Sequence, residues 1–309
     1  MPVPSNTVAP VTVAPVTVAP VTVVIVHWNQ PDAAAATIGE FRVQTAVAVA
    51  GLRCIVVDND SRPEQRARLH ELLGHAPDVE IVDRPDNGGF GGGANTGLQR
   101  WLDDVDGSEW VFLCPHDVSM APDCIELLLA ATAAEPMAGL ACADVGDGHI
   151  PYIDPYFGGI TMPGSPEPGW QPADYPHGTL MALRRECVAE VGLFDEAFFA
   201  YCEEADLALR ARAAGWTCGL VRGARVQNVH LGSSVALVDY LQQRNTLRLV
   251  RTMSGRYHVA IRLLISLGQV VSGVLRPATA PLVFHPRARL LGMRDFLLGR
   301  FGPPPADVF

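Results

Sequence analysis

Short runs of β-branched residues alternate with segments of helical periodicity along the first 120 residues. The runs predict buried strands at Val21–His27 and at residues 53–57, 79–82 and 110–113. The segments between them predict helices at residues 33–49 and 64–73 and, after a glycine-rich loop, a helix through 98–102. Strand–helix alternation at this spacing predicts an α/β fold with a doubly wound, mostly parallel sheet.

Polar residues follow the predicted strands, at the edge where such sheets bind ligands. These residues are Asn29, Asp58, Asn87 and Asp117. Asp58 taken alone has two interpretations of equal weight. Its carboxylate can bind a nucleobase or a ribose hydroxyl, or it can cap the backbone of its own turn.

The remainder of the chain changes character twice. Residues 144–177 are rich in Pro, Gly and aromatic side chains, and so long a segment predicts a binding loop or hairpin. Residues 179–183 predict a strand, and residues 203–214 predict a helix with an acidic first turn. From about residue 239 to residue 300 the pattern is helical, basic and amphipathic.

Charge and cysteine content exclude some classes of protein. The net charge of −10 opposes nucleic-acid binding, although residues 244–309 hold ten arginines against two aspartates. All 23 cationic side chains are arginines, which suit forked contacts with phosphate. Seven scattered cysteines without a C-x-x-C pair predict a reducing compartment rather than a disulfide framework or a zinc cluster.

The N-terminal residues repeat V-A-P-V-T, and proline at every fifth position predicts an extended tail. This end has neither a basic leader nor a convincing cleavage site, so a signal peptide is not expected. The apolar stretch at residues 259–275 carries Arg262 and Gln269, so a transmembrane span is not expected there.

Three further groups of residues could carry chemistry. Five glycines among residues 88–93 indicate a backbone that comes close to another group. They contain a G-x-G-x-x-A frame, but the frame follows the third strand rather than the first, which makes a dinucleotide oxidoreductase a weak alternative. Glu203, Glu204 and Asp206 cluster at a helix start, where acidic residues also gain from the helix dipole. His230 follows a predicted strand, a place where a lone histidine is more often structural.

Several motifs occur in a fixed order. The opening strand ends at His27-Trp28-Asn29, residues 57–61 read V-D-N-D-S, and residues 87–97 read N-G-G-F-G-G-G-A-N-T-G. Residues 191–207 read V-G-L-F-D-E-A-F-F-A-Y-C-E-E-A-D-L, and Val229-His230 and Arg244-Asn245 follow. From about residue 21 to residue 250 this series resembles the inverting family-2 glycosyltransferases of the GT-A fold, and within them the bacterial rhamnosyltransferase-like branch.

The resemblance implies a GT-A catalytic domain at residues 21–240, with a nucleotide-binding half at 21–120 and an acceptor-binding half at 121–240. An extended tail at 1–20 precedes it, and a basic amphipathic helical region at 241–309 follows. The implied catalytic base is Glu204, with Glu203 and Asp206 as orienting groups. The implied ligands of a divalent metal, Mg²⁺ or Mn²⁺, are Asp117 and His230. The implied nucleotide-sugar contacts are His27, Asn29, Asp58, Asn59, Asn87, Gly89, Phe90, Gly91, Asn95, His116 and Arg244.

The implied reaction moves a sugar from a nucleotide-diphospho-sugar to a hydroxyl acceptor by single displacement, with inversion. The expected donor carries a pyrimidine nucleotide, as dTDP-rhamnose does, and the expected acceptor is a lipid-linked glycan or a small molecule. The expected location is the cytoplasm. The basic C-terminal helices have two interpretations of nearly equal weight. They contact the inner face of the membrane peripherally, or their apolar face packs on the catalytic domain and their arginines are solvated.

Two positions depart from the family pattern. The metal motif D-x-D reads Pro115-His116-Asp117, and loss of one carboxylate weakens Mg²⁺ binding while histidine favours Mn²⁺. Glu204 stands where the family has an aspartate, which is one methylene shorter. Because both departures fall on catalytic positions, the alternative is a catalytically weak or inactive sugar-nucleotide-binding protein of the same fold.

Overall fold

The computed structural model describes residues 19–105, 107–229 and 234–308. Most of the predicted tail, and also His230, therefore lie outside the described residues. The strands are β1 Val21–His27, β2 Leu52–Asp58, β3 Val79–Asp83, β4 Trp110–Pro115, β5 Val118–Met120, β6 Ala138–Asp144, β7 His149–Asp154, β8 Gly158–Pro163, β9 Gly169–Pro172, β10 Met181–Arg184 and β11 Thr217–Asn228. The helices are α1 Pro31–Arg42, α2 Thr45–Ala50, α3 Pro63–Leu73, α4 Gly89–Asp103, α5 Cys124–Ala133, α6 Arg185–Val191, α7 Glu203–Ala213, α8 Val235–Ser254, α9 Arg256–Leu275 and α10 Pro286–Leu297.

The central sheet of the described chain has the strand order β3-β2-β1-β4-β10-β6-β11-β5, and β9 also pairs with β11. Strands β1 to β4 run parallel to one another, as predicted. Beyond β4 the sheet is mixed, because β10 runs antiparallel to β4 and β6 whereas β11 runs parallel to β6. The carboxyl ends of β1, β2 and β4 consequently meet at one edge, where the sequence predicts a ligand site.

The long segment between β6 and β10 contains the predicted hairpin. Strands β7 and β8 pair with each other outside the central sheet, and β9 returns to pair with β11. The hairpin lies against α8. A Cβ on Gly158 would come within 3.2 Å of Thr246 Cγ2, and the φ of Gly158 is +69°, so this contact favours glycine.

The helix predicted at residues 33–49 is in fact two helices, α1 and α2. Between them Gln44 has an extended backbone. Its buried amide donates to the carbonyls of Glu40 and Ala121 and accepts from the N–H of Ile125. Two of these partners are about 80 positions away in sequence, so local periodicity does not reveal the break.

The glycine-rich stretch predicted as a loop forms the first turns of α4, which begins at Gly89. This helix lies directly on β1. A Cβ on Gly93 would come within 2.7 Å of Val26 Cγ1, and a Cβ on Gly97 would overlap with the side chain of Val24. A larger residue would push the helix away from the sheet. The glycines therefore serve helix–sheet packing, which removes the reason to infer a dinucleotide fingerprint.

Helices α8, α9 and α10 form the predicted helical C-terminal region and enclose a core of their own. Its residues are Leu247, Val250, Val259, Met293 and Phe296. In the described part of the chain, α9 is the one helix that is long and apolar enough to cross a membrane by length and composition, and 22% of its most apolar stretch is buried in the protein.

The arginines of this region do not form a uniform basic face. Arg244, Arg262 and Arg289 are buried, and Arg289 pairs with Asp239 of α8 at 2.8 Å. The predicted basic character therefore holds only for the arginines whose side chains are exposed. These are Arg251, Arg256, Arg276, Arg287, Arg294 and Arg300.

Candidate active site

A buried hydrogen bond joins the carboxyl ends of β1 and β2. His27 Nδ1 donates to Asp58 Oδ1 at 3.0 Å, and both side chains are fully buried. His27 Nε2 accepts from the N–H of Gln30 at 3.1 Å, which leaves the ring proton on Nδ1 and the ring neutral. Arg66 of α3 donates to the other carboxylate oxygen of Asp58 at 2.6 Å.

These bonds occupy Asp58 within the protein. Burial alone would raise its pKa, but hydrogen bonds from His27, Ser61 and Arg66 outweigh burial and hold the pKa of Asp58 well below its usual range. The predicted direct contact of Asp58 with a nucleobase is blocked in this structure, because the carboxylate is buried beneath Arg66. The guanidinium of Arg66 lies over this carboxylate and is partly exposed.

The turns that follow β1 and β2 support each other. Asn29 has a left-handed backbone with φ of 56°, a conformation that asparagine tolerates. Its N–H donates to Ser61 Oγ and its Oδ1 accepts from the N–H of Arg62, both at 2.8 Å. Trp28 beside it is 44% exposed and offers an aromatic surface at the sheet edge. Asn29 therefore shapes the predicted nucleotide edge.

Asn59 fixes the connection between β3 and α4. Its Nδ2 donates to Asn87 Oδ1 at 3.0 Å and to the carbonyl of Gly89 at 2.8 Å. Its Oδ1 accepts from the N–H of Gly88 at 3.2 Å, and Asn87 Oδ1 accepts from the N–H of Gly89 at 2.9 Å. The two predicted asparagines thus bind each other and the backbone, and they position the start of α4.

The first turn of α4 touches the loop that precedes the acidic helix α7. Gly89 has φ of +71°, and a Cβ on it would overlap with the carbonyl of Phe199. The N–H of Gly91 donates to that same carbonyl at 3.2 Å. The predicted glycines therefore join the nucleotide edge to the segment that carries the predicted base.

Asn95 and Phe90 secure this junction from within α4. Asn95 Nδ2 donates to the carbonyl of Phe194 and to Glu196 Oε1, each at 3.0 Å, and Asn95 Oδ1 accepts from the N–H of Phe194 at 2.9 Å. Phe90 is partly buried and packs against the core. Both residues are predicted sugar-nucleotide contacts, and both are placed here to support the site.

His116 and Asp117 lie directly after β4. His116 Nδ1 is 3.2 Å from the carbonyl of Val26, and its ring meets the ring of His27 edge-on. Asp117 is largely buried, and its Oδ1 accepts from Asn228 Nδ2 at 3.1 Å. Both residues stand at the sheet edge where the sequence places them.

The predicted metal site is only partly visible. Within residues 19–105, 107–229 and 234–308, no group of three His, Cys, Asp or Glu side chains could hold a metal ion. Asp117 supplies one carboxylate, and the second predicted ligand, His230, lies outside the described residues. One carboxylate fits a cation that is shared with the phosphate oxygens of a ligand, which is a common mode for Mg²⁺.

Strained backbone leads into α7. Phe199, Tyr201 and Cys202 have left-handed conformations, with φ of 66°, 68° and 73°. Such conformations cost about 1–3 kcal/mol each in non-glycine residues and persist only where the surroundings hold them. Strain of this kind clusters at functional sites, and here it immediately precedes Glu203 and Glu204.

The Arg244-Asn245 pair of α8 holds this strained loop. Asn245 is fully buried, and its Nδ2 lies 2.8–2.9 Å from three backbone carbonyls. The three carbonyls are those of Phe198, Ala200 and Tyr201. The sequence shows Asn245 in the Arg244-Asn245 motif but does not reveal its role, because its partners are more than 40 positions away.

Arg244 requires a correction. It is buried, and burial lowers its pKa. Its guanidinium donates to the carbonyls of Phe198 at 3.1 Å and Gly302 at 2.9 Å and stacks on Tyr240. The structure does not support the predicted contact of Arg244 with the diphosphate, because these donors already bind backbone beneath the C-terminal helices.

Glu203, which is buried, and Glu204, which is partly buried, open α7 as neighbouring carboxyl groups. In the described part of the chain, the Oε2 atom of each has no hydrogen-bond partner. Burial raises the pKa of both carboxyls, and the neighbouring charge of Glu204 adds to the effect on Glu203. A carboxylate shielded from water, with an open oxygen and a raised pKa, is a stronger proton acceptor than an exposed one.

Asp206 has a different position. It accepts from Arg210 Nε at 3.0 Å, and Arg210 donates onward to the carbonyls of Val191 and Leu193. This chain of contacts ties α7 to the loop before it. The geometry is consistent with the predicted orienting role of Asp206.

Glu204 faces a cavity of about 300 Å³, at the lower end of the range for small-molecule sites. The cavity lies between the β7–β8 hairpin and helices α7, α8, α9 and α10, and no residue of β1 to β4 lines it. A Cβ on Gly178, in the loop that leads into β10, would lie 3.7 Å from Glu204 Oε1. Glu204 thus lines this cavity and also lies close to that loop.

Sequence reasoning missed several residues that shape the site. They are Ser61, Arg66, Gln243, Asn245 and Arg262. Ser61 belongs to the V-D-N-x-S motif and could have been found there. The others become significant only through contacts between distant segments.

The parallel β1–β4 edge, the mixed second half of the sheet and the buried acidic start of α7 define a glycosyltransferase of the GT-A fold. The chain matches the family described as Glycosyl transferase family 2 over residues 22–188, more than half of its length. It belongs to this family.

Two curated relatives are similar over part of their length. An N-acetylglucosaminyl-diphospho-decaprenol L-rhamnosyltransferase of Mycobacterium tuberculosis is 26% identical over 189 residues, which is 48% of this chain and 58% of the relative. The low-salt glycan biosynthesis hexosyltransferase Agl10 of Haloferax volcanii is 27% identical over 168 residues, 51% of this chain and 52% of the relative. The chain therefore spans little more than half the length of either relative.

Two solved structures share the fold. GalNAc-T7 with UDP, GalNAc and Mn²⁺ has a TM-score of 0.63 at 14% identity, covering 92% of this chain and 56% of that one. The mannosyltransferase PcManGT of Pyrobaculum calidifontis with GDP-Man and Mn²⁺ has a TM-score of 0.56 at 14% identity, covering 94% and 89%. These likenesses confirm the predicted GT-A fold class.

Proposed function

We propose that this glycosyltransferase transfers its sugar with inversion, by single displacement, and that Glu204 is the catalytic base. The observation that carries the proposal is the Glu203–Glu204 pair at the start of α7. In the described part of the chain the Oε2 of Glu204 is shielded from water and has no hydrogen-bond partner, the pKa of the Glu204 carboxyl is raised, and its side chain lines a cavity of the size of a small substrate.

In this reaction the acceptor hydroxyl oxygen forms a bond to the anomeric carbon while the bond to the nucleoside diphosphate breaks. The leaving diphosphate oxygen takes the electron pair of that bond. The hydroxyl proton passes to Glu204, which the raised pKa suits to accept it. Glu203 and Asp206 keep α7 in place, and Asn245 holds the loop that aims it.

The proposed donor is a pyrimidine nucleotide sugar bound at the β1–β4 edge, with rhamnose as the leading candidate sugar. The relative from Mycobacterium tuberculosis is named as an L-rhamnosyltransferase, which supports this choice of sugar. Trp28 offers a surface for base stacking, and Arg66 offers a cation fixed by Asp58.

The proposed metal is Mg²⁺ or Mn²⁺, held by Asp117 and His230 together with the donor diphosphate. Both structural neighbours were solved with Mn²⁺, which supports the choice of a divalent ion. Such an ion neutralises charge on the departing diphosphate. The surrounding protein contributes Asn228, whose amide orients the Asp117 carboxylate.

We also propose a cytoplasmic enzyme that rests on the inner face of a membrane through α9 and takes a lipid-linked acceptor. One face of α9 is buried in the protein, and the opposite face is apolar and exposed, so the helix is suited to lie on a bilayer rather than cross it. The exposed apolar residues are Tyr257, Leu264, Leu267, Val271, Val274 and Leu275. All seven cysteines are free, as a reducing compartment requires.

Flotation with anionic vesicles tests the membrane contact. The double variant L264E and V271E places two charges on the exposed face and should remain in the soluble fraction while the unaltered chain floats. V49E, at an exposed valine on α2, is the matched control and should float. Flotation of the double variant to the same extent as the control would refute this contact.

Donor screening tests the proposed function itself. Thermal shift with UDP-, GDP- and dTDP-sugars identifies the donor, and release of nucleoside diphosphate in the presence of an acceptor measures transfer. We expect a dTDP- or UDP-sugar to bind and to be consumed only when an acceptor is present. Exclusive binding of a GDP-sugar would refute the pyrimidine assignment, and retention at the anomeric centre of the product would refute inversion.

A catalytically weak sugar-nucleotide-binding protein is the second candidate, and two observations favour it. Pro115 replaces a metal-binding carboxylate, and Asp58 is covered by Arg66. Donor binding without nucleotide release, across lipid-linked and soluble acceptors and with Mn²⁺ present, would favour this candidate over an active transferase.

A further inference from the structure

The cavity in front of Glu204 contains polar donors that have no partner in the described part of the chain. Arg262, on the buried face of α9, is 9% exposed and lines the cavity, and neither its Nε nor its Nη1 makes a hydrogen bond. Gln243 of α8 lines the same cavity, and its Nε2 is likewise without a partner. Ser266 Oγ lies 3.1 Å from Gln243 Oε1 and so holds the amide in this orientation.

Among the described residues, neither carboxylate of the cavity wall, Glu204 or Asp239, makes a hydrogen bond with these donors. Asp239 is already bound by Arg289 at 2.8 Å and by the N–H of His285. Arg262 stacks on the ring of Phe157, with 4.9 Å from its Cζ to the ring centroid, a contact that does not satisfy the N–H donors at the edge of the guanidinium. Burial and the neighbouring Arg289 lower the pKa of Arg262 to about 10, so it remains cationic at neutral pH.

A buried cation with open donors is costly to a fold unless it has a use, and buried polar groups are almost always paired in proteins. The chemistry of the vacant positions defines the partner. A guanidinium edge and an amide N–H together match the oxygens of a phosphate group, which accept several hydrogen bonds and carry negative charge.

We infer that Arg262 and Gln243 bind a phosphate or diphosphate group of the acceptor, in the cavity that they line together with Glu204. This inference rests on the proposed function. The donor diphosphate is excluded from the assignment by position, because no residue of β1 to β4 reaches the cavity. The same helix, α9, therefore carries both proposed acceptor contacts. Arg262 lies on its buried face, and its apolar face is exposed.

Binding of inorganic pyrophosphate tests the inference without requiring catalysis. Calorimetry in EDTA, repeated with Mn²⁺ and with dTDP or UDP at saturation, separates this subsite from a metal-dependent donor site. We expect R262M to weaken pyrophosphate binding at least tenfold. R256M, at an exposed arginine on the same helix, is the matched control and should bind as the unaltered chain does. Q243L keeps the arginine and should show a smaller loss.

A second readout keeps the test independent of folding defects. R262M removes a buried unpaired charge, so its melting temperature without ligand should equal or exceed that of the unaltered chain, while the rise caused by pyrophosphate disappears. Farnesyl diphosphate distinguishes a lipid-linked acceptor from a soluble acceptor as the source of the phosphate group. Tighter binding than pyrophosphate supports a lipid-linked group, and equal binding supports a soluble one. Unchanged pyrophosphate affinity in R262M, or full competition by dTDP or UDP, would overturn the inference. Absence of donor binding in the unaltered chain, with its pyrophosphate binding intact, would instead refute the proposed function alone.

Discussion

Replacement of Asn245 by alanine tests whether the strained loop before α7 serves catalysis. The Asn245 amide is fully buried and reaches three carbonyls. In the variant, the carbonyl of Phe198 keeps its hydrogen bond from Arg244, whereas the carbonyls of Ala200 and Tyr201 lose their hydrogen bond from Asn245. At about 1–3 kcal/mol for each buried polar group left without a partner, and with both residues only partly buried, the loss of stability is about 2–4 kcal/mol.

A loss of this size lowers the melting temperature by roughly 3–6 °C in a chain of this length. The released loop also lets Glu204 move, and a displacement near 1 Å costs roughly a hundredfold in rate. We therefore expect kcat to fall about 10–100-fold while KM for the donor changes little, because the donor edge lies elsewhere. Urea unfolding and steady-state nucleotide release measure the two effects.

Gln44 provides the matched control. It is also a fully buried amide with three hydrogen-bond contacts, but it joins α1 to the segment before α5, away from α7. Gln44→Ala should lower stability by a similar amount and leave kcat close to that of the unaltered chain. Equal kcat in the two variants would show that the strained loop held by Asn245 does not position Glu204 for catalysis.

Three further predictions follow from named contacts. Asp58→Ala releases Arg66 and should weaken donor binding by about 1–3 kcal/mol in calorimetry; unchanged affinity would remove both residues from the donor site. Gly97→Ala should destabilise the chain by at least about 1 kcal/mol in urea unfolding, since its Cβ overlaps with Val24, and a stabilised variant would contradict the packing account. The raised pKa of Glu203 means that its contribution to stability is complete below the usual carboxyl pKa and is lost as pH rises through the raised value. The stability of Glu203→Gln relative to the unaltered chain should therefore be greater at pH 8 than at pH 4, and the reverse order would contradict burial of this carboxyl.

The sequence predicts elements well where burial alone determines them. The bounds of β1 match the prediction because a strand covered on both faces is a continuous run of β-branched residues. The break at Gln44 and the helix formed by the glycine-rich stretch escaped prediction, because both depend on contacts with distant segments. No local pattern shows that Val24 and Val26 lie beneath α4.

The candidate site likewise has features that local motifs predict and features that depend on contacts between distant segments. Motif order places Asp58, Asp117 and Glu204 in their correct regions, since the strands and α7 deliver them there. The motif does not reveal that Asp58 is covered by Arg66, nor that Arg244 binds backbone beneath the C-terminal helices. Those facts depend on where α3 and α8 pack, which sequence spacing does not encode.

Glu204 is proposed to take the proton of the acceptor hydroxyl, and the pH dependence of kcat in Glu204→Gln tests this role. With the donor identified by thermal shift, the variant should retain donor binding and lose roughly 10²–10⁴-fold in turnover. In the unaltered chain, kcat should fall on the acid side with a midpoint above the usual carboxyl pKa, because burial raises the pKa of Glu204. That limb should vanish in the residual activity of the variant. Turnover of Glu204→Gln within tenfold of the unaltered chain, or a larger loss in Glu203→Gln or Asp206→Asn, would contradict the assignment.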